Sequence, residues 1–294
     1  MDALLIQWLQ LAINGIAIGA IYALVALGLV LTYKATEVLN FAHGDVLMLS
    51  AFTGWALIVG LGWSFWLALP ATVALIGVLN YGLEQHLMRR IAGQPQFAGV
   101  MLTIGLAFMI RGAVSMGFGP ESRKFETPFS GGLTRIGGLV ITDLNLAILG
   151  AVLLVTVLLF LFLRKTAIGI AIQAASQDQL AAYLSGIRVK RLNSLVWGLS
   201  GALAALAGLL LAPITLVDIG LWVVLLKALA ALVLGGFGSA PGAIVGGLLI
   251  GLIESFAGVY APGGIKDVVA YIVLIAVLIL YPRGLLGEAH GKRV

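Results

Sequence analysis

Long apolar runs recur along the whole chain and constrain its fold more than any other feature. Most are long enough to cross a hydrocarbon core about 30 Å thick. Charged residues make up only 10% of the chain, against about 25% in a soluble domain, so they cannot cover a water-facing surface. We therefore predict an all-α polytopic bundle of about 8–10 spans, forming one transmembrane domain over 1–294. Nine candidate spans lie roughly at 4–33, 45–62, 66–88, 97–118, 144–163, 192–212, 220–236, 241–259 and 267–282.

Lys and Arg residues between these spans predict the orientation, because cytoplasmic loops carry an excess of them. With a cytoplasmic C-terminus, four basic residues lie outside: Arg123, Lys124, Arg135 and Lys266. Eleven lie inside: Lys34, Arg89, Arg90, Arg164, Lys165, Arg188, Lys190, Arg191, Arg283, Lys292 and Arg293. Nine spans then place the N-terminus outside. This bias accounts for the pI of 9.6 without invoking nucleic acid.

Two long connections are assigned to opposite sides. The polar, turn-rich residues 119–143 are expected to form an external loop. Residues 166–190 on the cytoplasmic side instead favour a short amphipathic helix, with an apolar stripe facing a polar one. Two interpretations stay open, an interfacial helix on lipid and a docking element for a cytoplasmic partner. The predicted stripe consists of Ala174, Leu180, Ala181, Leu184 and Ile187.

Two stretches predict helix breaks. Residues 38–49 read VLNFAHGDVLML, with polar residues between apolar runs, and residues 235–242 read GGFGSAPG. Each follows one apolar segment and precedes another, and such paired breaks in two halves of a chain point to a transport path. Nearby, Lys227 and Glu254 fall within spans and are expected to pair. Small residues at Gly242, Gly246, Gly247 and Gly251 predict close helix packing.

Several chemistries are excluded or disfavoured. The chain has no Cys and only three His residues, so thiol chemistry is excluded and a metal site is not expected. It lacks the Gly-Lys-Ser/Thr ending of a phosphate-binding loop, so ATP hydrolysis by that route is not expected here. Two other classes stay as alternatives. An intramembrane enzyme would use His43 and Asp45, and an ion-coupled carrier is disfavoured by the shortage of acidic residues within spans.

Three stretches of the chain resemble the LivH-type permeases of branched-chain amino acid ABC importers. They are NGIAIGAIYALVALGLVLTYKATEVLNFAHGDVLML, GIAIQAASQDQLAAYLSGI with the following RVKRLNSLVWGLSGALAALAGLLLAP, and LLKALAALVLGGFGSAPGAIVGGLLIGLIES. The C-terminal KDVVAYIVLIAVLILYPRGLLG is also similar. The resemblance covers nearly the whole chain in the same order.

That resemblance implies a type II-like importer permease in a bacterial or archaeal cytoplasmic (inner) membrane. The expected partners are a second, LivM-like permease, two ABC ATPase subunits and an external substrate-binding protein. No cofactor is expected in this chain, since ATP and Mg²⁺ would bind the ATPases. The expected solute is a branched-chain or other neutral amino acid, with urea or an amide as the alternative.

The resemblance also implies roles for residues. The translocation path or gate is expected to include Asn40, Phe41, His43, Gly44 and Asp45, with Gly235, Gly236, Gly238, Ser239 and Pro241 as the counterpart in the other half. Asn40 to Asp45 would form the break between two helical segments. Contact with the ATPase is expected from Gln173, Ala174, Asp178, Ala182, Leu184 and Gly186.

Overall fold

The computed structural model describes residues 3–136, 138–262, 264–281 and 284–287. Helices account for most of them, as the apolar runs predict. The helices are α1 (Ala3–Thr36), α2 (His43–Trp55), α3 (Phe65–His86), α4 (Gln96–Phe118), α5 (Asp143–Lys165), α6 (Ala167–Gln177), α7 (Gln179–Leu184), α8 (Val189–Thr215), α9 (Val224–Gly235), α10 (Ala240–Tyr260) and α11 (Ile265–Leu280). Short π and 3₁₀ segments lie at Ala56–Gly60, Met88–Ile91 and Ile219–Val223.

Within the described residues, seven helical segments are long and apolar enough to cross a membrane. Two shorter apolar segments, Ile219–Gly235 and Val268–Leu280, coincide with the seventh and ninth predicted spans. The structure separates the seventh and eighth spans into α9 and α10, as their Gly and Pro residues predict, although α10 is long enough to span alone. The first span is one uninterrupted helix of 34 residues.

The described chain divides by its internal contacts into two compact units. Unit 1 holds the chain up to Val30, the stretch Glu126–Val152 and the chain from Val223. Its helices pack closely against one another because glycines lie at their contacts. A β-carbon at Gly247 would overlap the backbone of Ala23, and one at Gly246 would overlap the carbonyl of Ala231. The small-residue spacing of α10 therefore reflects tight packing against α1 and α9, as predicted.

Unit 1 also contains a β-hairpin inside the predicted external loop. Strands β1 (Leu133–Ile136) and β2 (Leu139–Thr142) pair antiparallel. The Gln10 side chain of α1 donates to the Val140 carbonyl at 2.6 Å and accepts from its N–H at 3.0 Å. The sequence predicts only turns here, because strands of four residues are too short to show an alternating pattern.

Unit 2 holds Leu31–Phe125 and Leu153–Trp222. Helix α8 lies at its centre and packs against both α2 and α3. Gly201 faces the side chain of Asn80 on α3, and Gly208 faces Ser50 on α2 so closely that a β-carbon would overlap it. The Ser50 hydroxyl donates to the Leu47 carbonyl at 2.6 Å. The glycines of α8 thus allow it to lie close to polar side chains of both α2 and α3.

Candidate functional site

The first predicted break lies between α1 and α2, at residues 37–42. This is slightly earlier than the expected stretch of Asn40 to Asp45, because His43, Gly44 and Asp45 already form the first turn of α2. Glu37 adopts a φ of 55°, a left-handed conformation that non-glycine residues rarely adopt. This conformation ends α1 and begins the break.

The residues of this break are held by side chains. The Asn40 carbonyl oxygen Oδ1 accepts from the Ala42 N–H at 3.0 Å, and Asn40 is buried. The Phe41 N–H donates to Thr103 Oγ1 of α4 at 3.3 Å. No side chain caps the N-terminus of α2, so its start depends on contacts with neighbouring helices.

His43 is completely buried in the first turn of α2. Its Nδ1 lies 3.3 Å from the hydroxyl of Ser200 on α8, and the tautomer decides which atom donates. The two residues are 157 positions apart in the sequence, so no local pattern indicates that Ser200 belongs to this site.

Asp45 forms a two-point ion pair with Arg111 of α4. Arg111 Nε donates to Oδ1 at 2.9 Å and Nη2 donates to Oδ2 at 3.2 Å. The Asp45 side chain is 1% exposed, whereas that of Arg111 is 23% exposed. The guanidinium carbon lies 4.0 Å from the Trp222 ring centroid and 5.4 Å from that of Phe108. The partly accessible cation is thus framed by two aromatic rings.

The second predicted break, in unit 1, is built from backbone. Gly236 and Gly238 have φ values of 108° and 82°, which only glycine adopts without strain. Ser239 caps α10 by accepting the N–H of Gly242 at 3.1 Å, and Pro241 lies in the first turn. A β-carbon at Gly235 would overlap the carbonyl of Gly242. The two helix ends therefore touch directly.

A C-terminal segment completes this second break. The N–H groups of Leu285 and Leu286 donate to the carbonyls of Leu234 and Gly235, at 2.8 and 2.9 Å. The last carbonyls of a helix have no partner within the helix. Residues 285 and 286 therefore supply the missing hydrogen-bond donors at the end of α9. Such a strand-like cap could not be predicted from sequence spacing.

Lys227 and Glu254 pair, as predicted, with 2.6 Å between Nζ and Oε1. The Tyr22 hydroxyl of α1 donates to Oε2 of the same carboxylate at 2.7 Å. Both charged side chains are largely buried. The network joins α1, α9 and α10 within unit 1, and its Tyr22 contact was not anticipated.

The cytoplasmic segment predicted over 166–190 forms two short helices, α6 and α7, instead of one. The Asp178 carboxylate accepts from the Ala181 N–H at 2.9 Å and begins α7. The Gln173 side chain donates to the Leu163 carbonyl at 2.9 Å. Gly186, with a φ of 85°, follows the end of α7.

The predicted apolar stripe on this segment lies mostly on the outer surface of the chain, where lipid or a partner can contact it. Ala174, Leu180, Ala181 and Leu184 are exposed, and the buried residues are Gly169, Ile172, Ala175 and Ala182. On α7, Leu180, Tyr183 and Leu184 face outward, and Leu184 is 76% exposed. Ala182 contacts its own unit instead of offering a free surface.

A cavity of about 560 Å³ adjoins this segment within unit 2. Gln179 lines this cavity, and its side chain donates a hydrogen bond to the Ala35 carbonyl near the end of α1 at 2.9 Å. This hydrogen bond connects the α6–α7 segment to the start of the first break. The charged lining residues are Lys34, Glu37, Glu84, Arg89, Asp178 and Lys190.

Four described residues that the sequence did not assign to the first break lie beside it or beside its ion pair. They are Thr103, Arg111, Ser200 and Trp222. Arg111 alone carried a signal, as an Arg inside an apolar span. In the same described part of the chain, no group of three or more His, Cys, Asp or Glu residues is placed to hold a metal ion. The predicted inside residues Arg283, Lys292 and Arg293 lie outside the described residues.

Comparison with known proteins gives a consistent picture. Residues 11–278 match the family model described as branched-chain amino acid transport system / permease component. The chain is 30% identical to the high-affinity branched-chain amino acid transport system permease protein LivH of Escherichia coli (strain K12), over 100% of both chains. It is also 30% identical to the corresponding permease protein BraD of Pseudomonas aeruginosa, over 98% of both.

A solved structure supports the fold. PsaBC from Streptococcus pneumoniae in complex with Fab matches with a TM-score of 0.51, covering 92% of this chain and 91% of that one, at 14% identity. At this identity the similarity concerns the fold alone. The family model and the full-length relatives carry the assignment: the chain belongs to the branched-chain amino acid transport system permease family, as a multi-pass membrane transport component.

Proposed function

We propose that this permease subunit forms the translocation path for a branched-chain or other neutral amino acid. The observation that carries the proposal is the 30% identity to a branched-chain amino acid permease over the full length of both chains. An external binding protein would deliver the solute. Two partner ATPases, binding ATP and Mg²⁺, would drive import, beside a second, LivM-like permease.

The charges inside the spans favour a solute without net charge. Asp45 pairs with Arg111 and Lys227 pairs with Glu254, so each pair is neutral as a whole. Urea or an amide is the alternative substrate. An ion-coupled carrier would instead need an uncompensated acidic or sodium-binding group, and it would work without ATPases.

Purification from native membranes tests the assembly. A tagged chain is isolated in mild detergent and its companions are identified by mass spectrometry. We expect a second permease and ATPase subunits. The binding protein is then titrated with leucine, valine and urea, and leucine-driven ATP hydrolysis is measured in proteoliposomes. Isolation of the chain alone, with uptake that needs an ion gradient, would favour the carrier.

The first break is the proposed gate. Asn40 and Phe41 lie in the break, and His43, Gly44 and Asp45 follow in the first turn of α2. Side chains of α4 and α8 contact this stretch, through Thr103, Ser200 and Arg111. Such attachments can be exchanged without unfolding a helix. Gly235, Gly236, Gly238, Ser239 and Pro241 would form the fixed counterpart in the other half.

Alanine substitutions test the gate. His43→Ala and Asp45→Ala are each expected to lower uptake strongly in an assembled transporter, because α2 loses its link to α8 or α4. Uptake is measured in proteoliposomes at equal amounts of complex. Thr53→Ala, further along α2, is the matched control. Unchanged uptake in both variants would mean that this stretch has a structural role only and is not a gate.

The exposed residues of α7 are the proposed ATPase contact. Leu180, Tyr183 and Leu184 face outward, Asp178 fixes the start of the helix, and Gln179 ties it to α1. Movement of a docked ATPase would reach the gate through this contact. Gln173, Ala174 and Gly186 would support the segment, and buried Ala182 would keep α7 on its own unit.

Leu184→Glu is the sharper test, because Leu184 is exposed and the substitution leaves the packing of unit 2 intact. We expect loss of the ATPase on purification. Ala182→Glu should also uncouple transport, but through misplacement of α7. The matched control is Gln177→Glu, an exposed residue just before α7. Leu154→Glu is not a suitable control, because it would insert a charge into the apolar helix α5. Retention of the ATPase and of uptake in Leu184→Glu would exclude this docking surface.

The proposed location is the cytoplasmic (inner) membrane, with the C-terminus inside and the N-terminus outside. The chain has no Cys, so single cysteines report sidedness without background. Ser122→Cys is expected to react with an impermeant maleimide in intact cells, and Ser185→Cys only after lysis. The reverse pattern would invert the orientation.

A further inference from the structure

Arg111 is a partly exposed cation within an apolar helix that is long enough to span a membrane. It lies 15 residues after Gln96 and seven before Phe118, the two ends of α4, which corresponds to about 22 Å and about 10 Å along the helix. A charged group at such depth is costly in lipid and usually faces protein or an aqueous path. Its side chain nevertheless remains 23% exposed, while its partner Asp45 is sealed at 1%. The exposed part of the ion pair is therefore the guanidinium.

The surroundings of this guanidinium suit a particular kind of solute. A guanidinium binds a carboxylate in a two-point geometry, the same geometry that Asp45 occupies now. The rings of Trp222 and Phe108 flank the cation at 4.0 and 5.4 Å. Phe108 is itself exposed, so an apolar surface adjoins the charged one. A carboxylate attached to a short apolar side chain matches both.

We propose that Arg111 binds the α-carboxylate of the amino acid during its passage, in exchange for Asp45, with Trp222 and Phe108 contacting the solute's side chain. This inference rests on the proposed function and identifies the chemical group that the path recognises. Urea and simple amides lack a carboxylate and would not make the exchange.

The exchange connects recognition to the gate. Asp45 lies in the first turn of α2, two residues after His43, and this turn has no side-chain cap of its own. When the solute's carboxylate occupies Arg111, Asp45 loses its link to α4. The start of α2 is then retained by the contact between His43 and Ser200 and by the backbone of the break. An amino acid therefore loosens the gate only when it presents its carboxylate.

The test uses the complete transporter in proteoliposomes, with saturating leucine-loaded binding protein. Removing the charge of Arg111 alone would strand Asp45, so the main variant is Arg111→Met with Asp45→Leu, a neutral apolar pair. We expect its maximal uptake to fall roughly 10- to 100-fold, the factor that one charged hydrogen-bonding contact supplies, while its melting temperature stays near the wild-type value. Lys227→Met with Glu254→Leu is the matched control and should retain uptake.

A second readout separates recognition from packing. Without the binding protein, leucine is expected to change the tryptophan fluorescence of the transporter, and leucinol, which lacks the carboxylate, is not. The change should persist in Arg111→Lys and vanish in Arg111→Met with Asp45→Leu and in Trp222→Phe.

The outcomes also separate this inference from the proposed function. If the wild type imports leucine and the neutral Arg111/Asp45 pair imports it equally fast, the ion pair is structural and the inference is overturned. Equal fluorescence changes with leucine and leucinol would overturn it as well. If the wild-type complex imports no leucine at all, the proposed function itself fails.

Discussion

The two helix breaks, predicted as counterparts, are held in different ways. The break between α9 and α10 is fixed by backbone, through touching glycines, a serine cap and hydrogen bonds from residues 285 and 286. The break between α1 and α2 is held by side chains of Thr103, Ser200 and Arg111. Backbone contacts cannot be exchanged without moving whole helices, whereas side-chain contacts can. The first break therefore suits movement and the second suits anchorage.

Each unit also holds an ion pair between two of its helices, and the two pairs differ in exposure. Lys227 and Glu254 are both largely buried and share Tyr22 as a third partner. Arg111 remains partly exposed beside aromatic rings, although Asp45 is sealed. The buried pair of Lys227 and Glu254 contributes to the fold of its unit, whereas the partly exposed Arg111 is available to a solute.

The largest effect is expected from filling the glycine contact of the second break. Gly235→Leu would drive a side chain into the carbonyl of Gly242, and a backbone obstacle cannot rotate away. We expect no folded protein, measured by size-exclusion chromatography of a fluorescent fusion in detergent. Gly150→Leu on α5, where a β-carbon meets no atom within 4 Å, is the matched control. A folded Gly235→Leu protein would mean that the second break can adjust.

A smaller effect is expected from removing the carboxylate of the buried Lys227–Glu254 ion pair. Glu254→Ala leaves the buried Lys227 ammonium without its carboxylate, which typically costs about 3–5 kcal/mol. The melting temperature in detergent should fall accordingly. Lys227→Met with Glu254→Leu should restore most of it. If Glu254→Ala is as stable as the wild type but loses uptake, the pair belongs to the transport path and the contrast between the two pairs is lost.

The smallest effect is expected at the helix caps. Ser239→Ala removes the cap of α10 and should cost about 1 kcal/mol, visible as a modest fall in melting temperature. Ala42→Ser at the start of α2 should give no comparable gain, because Ala42 has helical dihedral angles (φ −75°, ψ −6°) instead of cap geometry. A clear stabilisation by Ala42→Ser would show that the first break can also be fixed locally.

Particular residues show how far the sequence can be interpreted. The Lys227–Glu254 pair was predictable, because two opposite charges in neighbouring apolar spans have few other partners. Ser200 and Thr103 were not, since hydroxyls occur throughout apolar helices without a distinguishing signal. One short helix was predicted over 166–190, whereas Asp178 interrupts the segment and begins α7, an interruption that the helix-favouring composition around it conceals.

By itself, the sequence determined that this chain is a helical membrane protein, where its helices break, and that it resembles a permease. These properties follow from local hydrophobicity, glycine and proline positions and order along the chain. Only the tertiary structure decided that Asp45 meets Arg111, that Trp222 covers the guanidinium, and that α7 turns Leu184 outward. Such contacts join residues far apart in the chain, and their geometry depends on helix packing that no local pattern encodes.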